Sequence, residues 1–272
     1  MRHTLSLRAS PPLRVDARAL SPVLLAGMTR EDVLRLPLPQ GHASLPLAEC
    51  FAVRSEAADD AVPQLRFEGD LSRFDCLGAG MAAGAITIDG DVGDCVGLGM
   101  SGGELRVSGS ARDLAGCAMS GGSLELRGDV GDFAGGPLPG GMEGMTGGTL
   151  LVHGRAGARL GDRMRRGTVV VQGDAGDFVA SRLVAGTIAV GGRCGAHAGW
   201  AMRRGSIVFA GEAPVPPVTF VPAHADAQVI WQLLARDLAR FGGRFGDLPR
   251  RACTRWVGDL AVLGRGEWFL PA

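Results

Sequence analysis

The sequence repeats one short, glycine-bounded unit at a nearly constant interval. The unit has the form G-x-φ-x-φ-x-G, in which φ is an apolar residue, and successive copies begin 19 residues apart except for one interval of 26. The clear copies begin at Gly84, Gly103, Gly122, Gly148, Gly167, Gly186 and Gly205, after a degenerate copy at 65–69. Because each unit of such an array packs mainly on its neighbours, this periodicity constrains the architecture of the whole chain.

Each unit predicts one short strand. Its apolar residues alternate with a period of two, as in Ile86 and Ile88, which is the pattern of a strand rather than a helix. Further glycines recur at fixed corners, where they permit positive φ, and many units add a methionine suited to filling the interior. A 19-residue unit is too short for a pair of helices and fits one coil of a β-helix. We therefore predict an all-β fold, a β-helix of about eight 19-residue coils, with one interior ladder formed by Ile86, Leu105, Leu124, Leu150, Val169, Ile188 and Ile207.

The flanks of the repeat predict small α+β caps at both ends. We expect three regions, namely an N-terminal cap at 1–62, the β-helix at 63–211 and a C-terminal extension at 212–272. In the N-terminal cap, the patterns predict strands at 4–8 and 50–54. Between these strands they predict a short helix that Thr29 caps together with Asp32 and that Pro37 ends.

The C-terminal extension predicts one helix and one hairpin. After a linker at 212–217, the pattern predicts a helix over 226–240 that ends at Gly242. The apolar residues expected on one face of this helix are Val229, Ile230, Leu233, Leu234 and Leu238. Strands at 256–263 and 267–270 are predicted to form the hairpin. Both flanks are expected to cover the open ends of the rod, where exposed strand edges would otherwise promote aggregation.

The composition excludes several classes of function. The chain has 28 basic and 28 acidic side chains and a formal net charge of zero, which argues against nucleic-acid binding. Every basic side chain is arginine, so mechanisms that need a lysine amine, such as Schiff-base formation, are excluded. Since no apolar run is long enough to span a bilayer and the start has no apolar signal segment, we expect no membrane association and a cytoplasmic location.

Motifs that usually indicate catalysis arise here from the repeat itself. The run 97–102 matches G-x-G-x-x-G and the run 99–103 matches G-x-S-x-G, but no long helix is predicted after either. Aspartates recur after the strand glycine and in the following turn, as calcium ligands or turn caps would. Arg155 and Arg193 replace the aspartate in two of the units, so we interpret the aspartates as turn caps rather than calcium ligands. We predict no catalytic residue and no metal site in this chain.

The cysteines and histidines show no spacing typical of a metal site, because the six cysteines include no C-x-x-C pair. Cys76 and Cys95 occupy equivalent places in adjacent units, within reach of a disulfide, although we expect reduced thiols in a cytoplasmic protein. His153 and His197 have no partner at a useful spacing and are interpreted as structural residues.

Three segments resemble one known family. They are the run GDVGDCVGLGMSGGELRVSG at 90–109, the run GDAGDF at 173–178 and the extension around 140–147. These segments resemble the C subunit of formylmethanofuran dehydrogenase and, more distantly, the C-terminal domain of the glutamate synthase large subunit. The resemblance extends over the whole chain, and the closing runs at 256–259 and 264–267 fit the subunit family better than the synthase domain.

The resemblance implies a right-handed β-helix with no active site of its own. It implies a scaffold subunit in a hetero-oligomer with amidohydrolase-like, formyltransferase and dehydrogenase-B-like subunits, in which zinc belongs to a partner subunit. Such a formyltransferase/hydrolase complex processes formyl groups carried on methanofuran or methylofuran and on tetrahydromethanopterin, and this chain is expected to bind no cofactor tightly. The arginine-only composition is typical of a GC-rich genome and favours this bacterial branch of the family.

Three alternatives stay open at this point. The first two are a subunit of a molybdenum- or tungsten-containing formylmethanofuran dehydrogenase and a glutamate-synthase-like β-helix protein. The third is a free-standing carbohydrate-active β-helix enzyme, which needs a carboxylate cluster on an open groove that the glycine turns do not provide. Trp231, Trp256 and Trp268 suit contacts with other subunits, although tryptophans of this kind also pack within one chain.

The candidate binding site is a group of arginines in equivalent turns: Arg163, Arg165, Arg166, Arg182, Arg203 and Arg204. With about 4.8 Å between coils, they are expected to form one basic strip roughly 10 Å long. The resemblance implies a cofactor with a glutamate-containing tail, whose carboxylates these guanidinium groups are predicted to bind. Salt bridges to a partner subunit, or a solvated face, are the alternatives.

Overall fold

The computed structural model describes residues 2–57, 62–223 and 228–272. Strands dominate these residues, and a sheet of 13 strands, most of them parallel to their neighbours, contains the repeats. The predicted all-β class is therefore confirmed. Across the same three ranges, no helix is long and apolar enough to cross a membrane.

The region before the repeats combines short strands with short helices. Its elements are β1 (Arg2–Leu7), β2 (Val15–Asp16), α1 (Pro22–Ala26), α2 (Arg30–Arg35), β3 (Pro37–Gln40), β4 (Ala43–Pro46), α3 (Leu47–Cys50) and β5 (Phe51–Glu56). The predicted strands correspond to β1 and β5, and the predicted helix corresponds to α2. At the start of α2, the Thr29 hydroxyl accepts a hydrogen bond from the Asp32 N–H, and the Asp32 carboxylate accepts one from the Thr29 N–H, so the predicted cap is confirmed.

The repeats supply the parallel part of the sheet. Their strands in this sheet are β6 (Gln64–Glu68), β8 (Ala85–Asp89), β9 (Ser101–Val107), β10 (Ser120–Leu126), β11 (Thr146–Val152), β12 (Arg166–Val171), β13 (Thr187–Val190) and β14 (Ser206–Phe209). The short strand β7 (Phe74–Asp75) pairs instead with β2. The predicted ladder is confirmed, because Ile86 pairs with Leu105, and the register continues through Leu124, Leu150, Val169 and Ile188 to Ile207. Each of these side chains is at most 1% exposed, which places the ladder in the hydrophobic core.

A second series of parallel bridges lies outside these longer strands. It runs through Leu71, Val92, Ala111, Val130, Ala156, Ala175 and Cys194. Neighbouring units are therefore paired at two places, at the longer strands and at this bridge.

Both flanks extend the sheet of the repeats. At one end β1 pairs in parallel with β6 and antiparallel with β5. The C-terminal elements are β15 (Val221–Pro222), α4 (Gln228–Ala239), β16 (Cys253–Gly258) and β17 (Gly266–Pro271), with short 3₁₀ helices at Gly243–Phe245, Leu248–Arg250 and Leu260–Val262. Here β17 pairs in parallel with β14 and antiparallel with β16. The hairpin is thus present, but its first strand is β16, which begins before the predicted 256–263 and ends where the Leu260–Val262 turn starts.

Helix α4 covers the outer face of the later repeats. The start predicted for this helix, at 226, lies outside the described residues, and its described end, Ala239, is one residue before the predicted end. The predicted apolar face was right for Leu238, which is buried, and for Leu234, which packs beside it. It was wrong for Val229, Ile230 and Leu233, which are 75%, 51% and 65% exposed, and Trp231 and Ala235 are buried instead. The buried stripe packs on outward-pointing residues of three successive strands, Val170, Ala189 and Val208. Since these side chains are small and apolar, the helix can approach the sheet closely.

Trp231 and Trp268 pack within the chain and do not form an exposed surface. Trp231 stacks on Phe269 with ring centroids 5.9 Å apart, and its indole N–H donates to the Arg251 carbonyl. Trp268 is fully buried against Phe209 and Phe220. The intrachain alternative is therefore correct for both residues. The division of the chain at 62 and 211 stays a prediction.

Candidate functional site

The predicted arginines lie at the turns that lead into the strands of neighbouring repeats. The Arg165 N–H donates to the Met145 carbonyl, the Val184 N–H to the Met164 carbonyl and the Arg203 N–H to the Leu183 carbonyl, all at 2.8–2.9 Å. Arg165, Val184 and Arg203 therefore occupy equivalent positions in three successive repeats, and Arg166, Ala185 and Arg204 occupy the next position. Two pairs of arginines thus flank one repeat that has short apolar side chains.

This alternation of long and short side chains forms a concavity of about 700 Å³. Its lining consists of Ser120, Thr146, Arg165, Arg166, Val184, Ala185, Arg203 and Arg204. All four arginines are exposed. Arg165 pairs with Glu143 at 3.0 Å. Within the described part of the chain, the guanidinium groups of Arg166, Arg203 and Arg204 have no hydrogen-bond or ion-pair partner, so the concavity carries an excess of positive charge.

Arg163 and Arg182 have a different environment from the other four. Both contact the carboxylate of Asp162, which is only 1% exposed. Arg182 pairs with it at 3.0 Å, Arg163 approaches it at 3.8 Å, and the Ser181 hydroxyl donates to it. A buried carboxylate needs such partners to offset its desolvation, so these two arginines have a clear structural role. The structure brings all six predicted arginines together. Arg163 and Arg182 are paired with Asp162, and the other four are exposed.

Arg265 belongs beside the exposed group and was not predicted. Strand β17 continues the register of β14, with Glu267 opposite Ser206, which places Arg265 opposite Arg204. The Arg265 N–H donates to the Arg203 carbonyl at 2.7 Å, and the side chain is exposed. A sequence signal existed, because an Arg-Gly pair lies at the start of β12, β14 and β17 alike. We call Arg165, Arg166, Arg203, Arg204 and Arg265 the arginine strip.

The recurrent aspartates cap the neighbouring repeat. The Asp75, Asp94 and Asp113 carboxylates each accept a backbone N–H from the residue 19 positions later, at 2.8–3.1 Å. A Cβ at Gly93 would collide with the Asp75 carboxylate and one at Gly131 with the Asp113 carboxylate, so glycine before the N–H donor leaves room for these two bonds. The capping prediction is confirmed, with the difference that the bonds link two repeats instead of closing one turn. In the ranges described, no group of three or more metal-ligating side chains is close enough to hold a metal ion.

The two histidines have partners that the spacing did not reveal. His153 Nε2 lies 2.9 Å from a Glu125 carboxylate oxygen on the neighbouring strand, so the expected lack of a partner was wrong. His197 stacks on Phe178 with ring centroids 4.8 Å apart. Both contacts join one repeat to the next, which agrees with a structural role.

The cysteines are free thiols, as expected. Burial raises the pKa of Cys95 to about 12, and the nearby Cys76 adds to this effect. Burial raises the pKa of Cys117 and of Cys194 to about 12 as well. Such thiols are poor nucleophiles near neutral pH because the thiolate is scarce.

Comparisons with known proteins identify relatives of one kind. No protein-family model matches the sequence. The C subunit of the formyltransferase/hydrolase complex Fhc of Methylorubrum extorquens is 40% identical over 90 residues, which make up 33% of this chain and 32% of that protein. The C subunit of the molybdenum-containing formylmethanofuran dehydrogenase 1 of Methanosarcina barkeri is 37% identical over 82 residues, or 30% of this chain and 27% of that protein. In sequence, the matched segment thus spans less than a third of either curated relative.

The likeness to a solved structure extends over the full length. The crystal structure of the formyltransferase/hydrolase complex FhcABCD from Methylorubrum extorquens, in complex with methylofuran, contains a chain that is 39% identical to this one. The two superpose with a TM-score of 0.89, and the match covers 99% of both chains.

Proposed function

Since this chain belongs to the family of formylmethanofuran dehydrogenase C subunits, we propose that it is the non-catalytic scaffold subunit of a formyltransferase/hydrolase complex in one-carbon metabolism. The observation that carries the proposal is the full-length match to a chain of the FhcABCD complex. The local chemistry supports it, because the recurrent aspartates accept backbone hydrogen bonds from the neighbouring repeat and the thiols of Cys95 and Cys117 have raised pKa values. The aspartates thus hold repeats together, and the two thiols are poor nucleophiles.

We propose that the parallel sheet and the bridge ladder are two sides of a right-handed β-helix with about eight coils. The constant register of both ladders supports this arrangement. A parallel connection is also right-handed in nearly all proteins.

The proposed partners are amidohydrolase-like, formyltransferase and dehydrogenase-B-like subunits, with zinc in a partner subunit. The proposed carriers of the formyl group are methylofuran or methanofuran and tetrahydromethanopterin, and the proposed location is the cytoplasm. Methylofuran is present in the related crystal structure, which supports that part of the proposal.

Native mass spectrometry of the complex, purified gently from its source, tests the scaffold role. We expect this chain to appear with the three partner types and to show no formyl hydrolysis when it is purified alone. Turnover of a formylated carrier by the isolated chain, with partner subunits rigorously absent, would disprove the non-catalytic role.

A second candidate function is a subunit of a molybdenum-containing formylmethanofuran dehydrogenase. The local identity to the Methanosarcina barkeri protein supports it. Metal analysis of the purified complex separates the two: zinc without molybdenum or tungsten supports the hydrolytic complex, and a stoichiometric amount of either heavier metal supports the dehydrogenase.

We further propose that the predicted arginines, Arg163, Arg165, Arg166, Arg182, Arg203 and Arg204, bind the glutamate-containing tail of the formyl carrier. The exposed four and Arg265 are suited to direct contact, because carboxylates form strong charge-assisted hydrogen bonds with guanidinium groups. Arg163 and Arg182 would position this surface through Asp162. The short side chains of Val184 and Ala185 leave space for an extended chain between the two arginine pairs.

The test replaces Arg165, Arg166, Arg203 and Arg204 by Gln in the assembled complex. We expect coupled formyl transfer to fall by at least about tenfold at low salt, because four charged contacts are lost, while hydrolysis of a substrate without the tail is unchanged. The matched control replaces four exposed arginines elsewhere, Arg106, Arg112, Arg127 and Arg155, and removes the same charge. If the strip variant assembles and couples as well as wild type, the strip does not bind the carrier.

A further inference from the structure

Exposed apolar side chains surround the ion pair between Asp162 and its two arginines. Leu138, Met142, Trp200 and Val262 are 40%, 74%, 50% and 41% exposed. They come from three separate parts of the sequence: the extension between two repeats, the repeat that begins at Gly186 and the C-terminal hairpin. We call these four residues, with Arg163 and Arg182 between them, the Trp200 patch.

The members of the Trp200 patch are contiguous. Arg163 Nη1 lies 3.1 Å from the Met142 sulfur, and the Arg182 guanidinium lies 5.9 Å from the centre of a Trp200 ring. Two adjoining cavities of about 380 and 410 Å³ share Arg163 and Arg182 in their walls. Met142 and Val262 line the first cavity, and Leu138 lines the second. The patch is therefore a grooved surface rather than a set of scattered residues.

The chemistry of the Trp200 patch matches the centre of a protein interface. Tryptophan, methionine and arginine are enriched at such centres, and tryptophan and arginine supply most of the residues with large binding energies. Arg182 is held by three hydrogen bonds to Asp162 and by the Trp200 ring, so little side-chain entropy is lost when a partner covers it. The buried Asp162 already neutralises part of the charge, which lowers the cost of removing water from the arginines.

The charges beside the Trp200 patch indicate what kind of chain covers it. Arg165 and Arg203 line the same cavity as Met142 and Val262 and continue into the arginine strip. A second copy of this chain, docked about a two-fold axis that passes through this cavity, would bring two sets of these arginines together, and like charges at an interface are unfavourable. An acidic partner avoids this repulsion.

We propose that the Trp200 patch is the docking site for a different subunit, which inserts apolar side chains flanked by Asp or Glu. This inference rests on the proposed function, because it requires that the chain works in a hetero-oligomer. It adds that the partner contact lies directly beside the arginine strip, so the docked subunit forms one wall of the groove along which a carboxylate-bearing ligand lies.

The experiment measures the affinity of the full chain for the co-purified partner subunits of the complex. The variant Met142→Asp places a carboxylate in the patch on an exposed loop, where it leaves the fold intact, and Trp200→Ala removes the central ring. We expect each to raise the Kd by at least about 30-fold, as for the residues with large binding energies in other interfaces. The matched control is Leu233→Asp on α4, which is 65% exposed but lies beside no fixed arginine, and we expect its Kd to stay within about threefold of wild type.

The outcomes separate this inference from the function on which it rests. If wild-type chain binds the partner subunits and Met142→Asp binds them equally well with an unchanged Tm, the docking site is wrong and the scaffold role stands. If wild-type chain binds none of them, the proposed function fails. Self-association of the isolated chain that Met142→Asp abolishes would overturn the assignment in favour of a second copy. A Kd that does not rise with salt would overturn the acidic character of the partner.

Discussion

At the residue scale, one turn position of each repeat has a left-handed backbone that favours glycine, yet a residue with a side chain occupies it. Equivalent residues of successive repeats have φ of 59–65°, namely Cys76, Cys95, Leu114, Phe133, Arg159, Phe178 and His197. Left-handed backbone costs a non-glycine residue about 1–2 kcal/mol, so each side chain has to recover that energy by contact. Arg159 lies between two rings, 5.6 Å from Phe133 and 4.9 Å from Phe178. Stacking between repeats offsets the strain that each repeat carries alone.

The aspartate caps lead to a prediction about stability. Asp113→Ala removes the acceptor for the Asp132 N–H, and we expect the free energy of unfolding to fall by about 1 kcal/mol, the usual contribution of one hydrogen bond. Asp113→Asn keeps an acceptor oxygen at the same place and serves as the control, with a smaller loss. Urea unfolding followed by circular dichroism gives both values. Equal losses in the two variants would show that the charge, rather than the hydrogen bond, matters.

The raised thiol pKa values lead to a prediction about reactivity and pH. At pH 8 we expect Cys95, Cys117 and Cys194, each with a pKa of about 12, to react with iodoacetamide at least about 100-fold more slowly in the native protein than in urea. Because an unfolded thiol has a pKa of about 8.5, their contribution to stability is complete below that pH and is lost as pH rises towards 12. Peptide mass spectrometry after timed labelling measures each site. Fast native labelling of Cys95 would contradict its burial.

At the scale of the element, strand alternation decides which residues enter the core. Val107 lies in the interior and is 1% exposed. We expect Val107→Asp to cost several kcal/mol, since it buries a charge without a partner. Thr87→Asp, on the outward phase of the adjacent strand and opposite Arg106, is the control and is expected to be nearly neutral. Thermal melting of both variants distinguishes the inward positions of the strands from the outward ones. A Tm equal to that of wild type for Val107→Asp would mean that the register is wrong.

Helix α4 provides a second test, because its exposed and buried apolar residues are clearly separated. We expect Trp231→Ala to lower the free energy of unfolding by about 3–5 kcal/mol, since the ring is only 4% exposed and stacks on Phe269. Leu233→Ala, two residues away and 65% exposed, is expected to change it by less than about 0.5 kcal/mol. Denaturant unfolding of the two variants gives the comparison. A larger loss for Leu233→Ala than for Trp231→Ala would mean that the side of the helix that carries Leu233 is the buried one.

At the scale of the whole molecule, the flanks finish the array of repeats. The described sheet ends in antiparallel strands on both sides, with β5 at one edge and β15 and β16 at the other. A parallel array left without them would present long edges with unpaired N–H and carbonyl groups. The flanking strands therefore belong to the same sheet as the repeats and also pair with its otherwise exposed edges.

Removal of residues 253–272 tests this role. The truncation exposes the edge of β14 and uncovers Trp231, so we expect soluble aggregates at micromolar concentration. Light scattering coupled to size-exclusion chromatography measures the mass of the particles. Leu263→Ser, a change at a 92% exposed position of the same hairpin, is the control and should leave the elution unchanged. A truncated chain that elutes like wild type would mean that the hairpin is dispensable for closing the array.

The sequence by itself determined the all-β class, the interior ladder, the capped helix α2 and the equivalence of the six arginines. The class, the ladder and the equivalence of the arginines depend on short-range patterns that repetition makes visible several times, whereas α2 depends on the local pattern of Thr29 and Asp32. Only the tertiary structure decided that Val170, Ala189 and Val208 are covered by α4, and that Arg163 and Arg182 are tied to Asp162 while Arg166, Arg203 and Arg204 point to solvent. Those facts follow from contacts between distant segments, such as Arg203 with Arg265, whose free energy depends on three-dimensional packing and leaves no periodic signal in the chain.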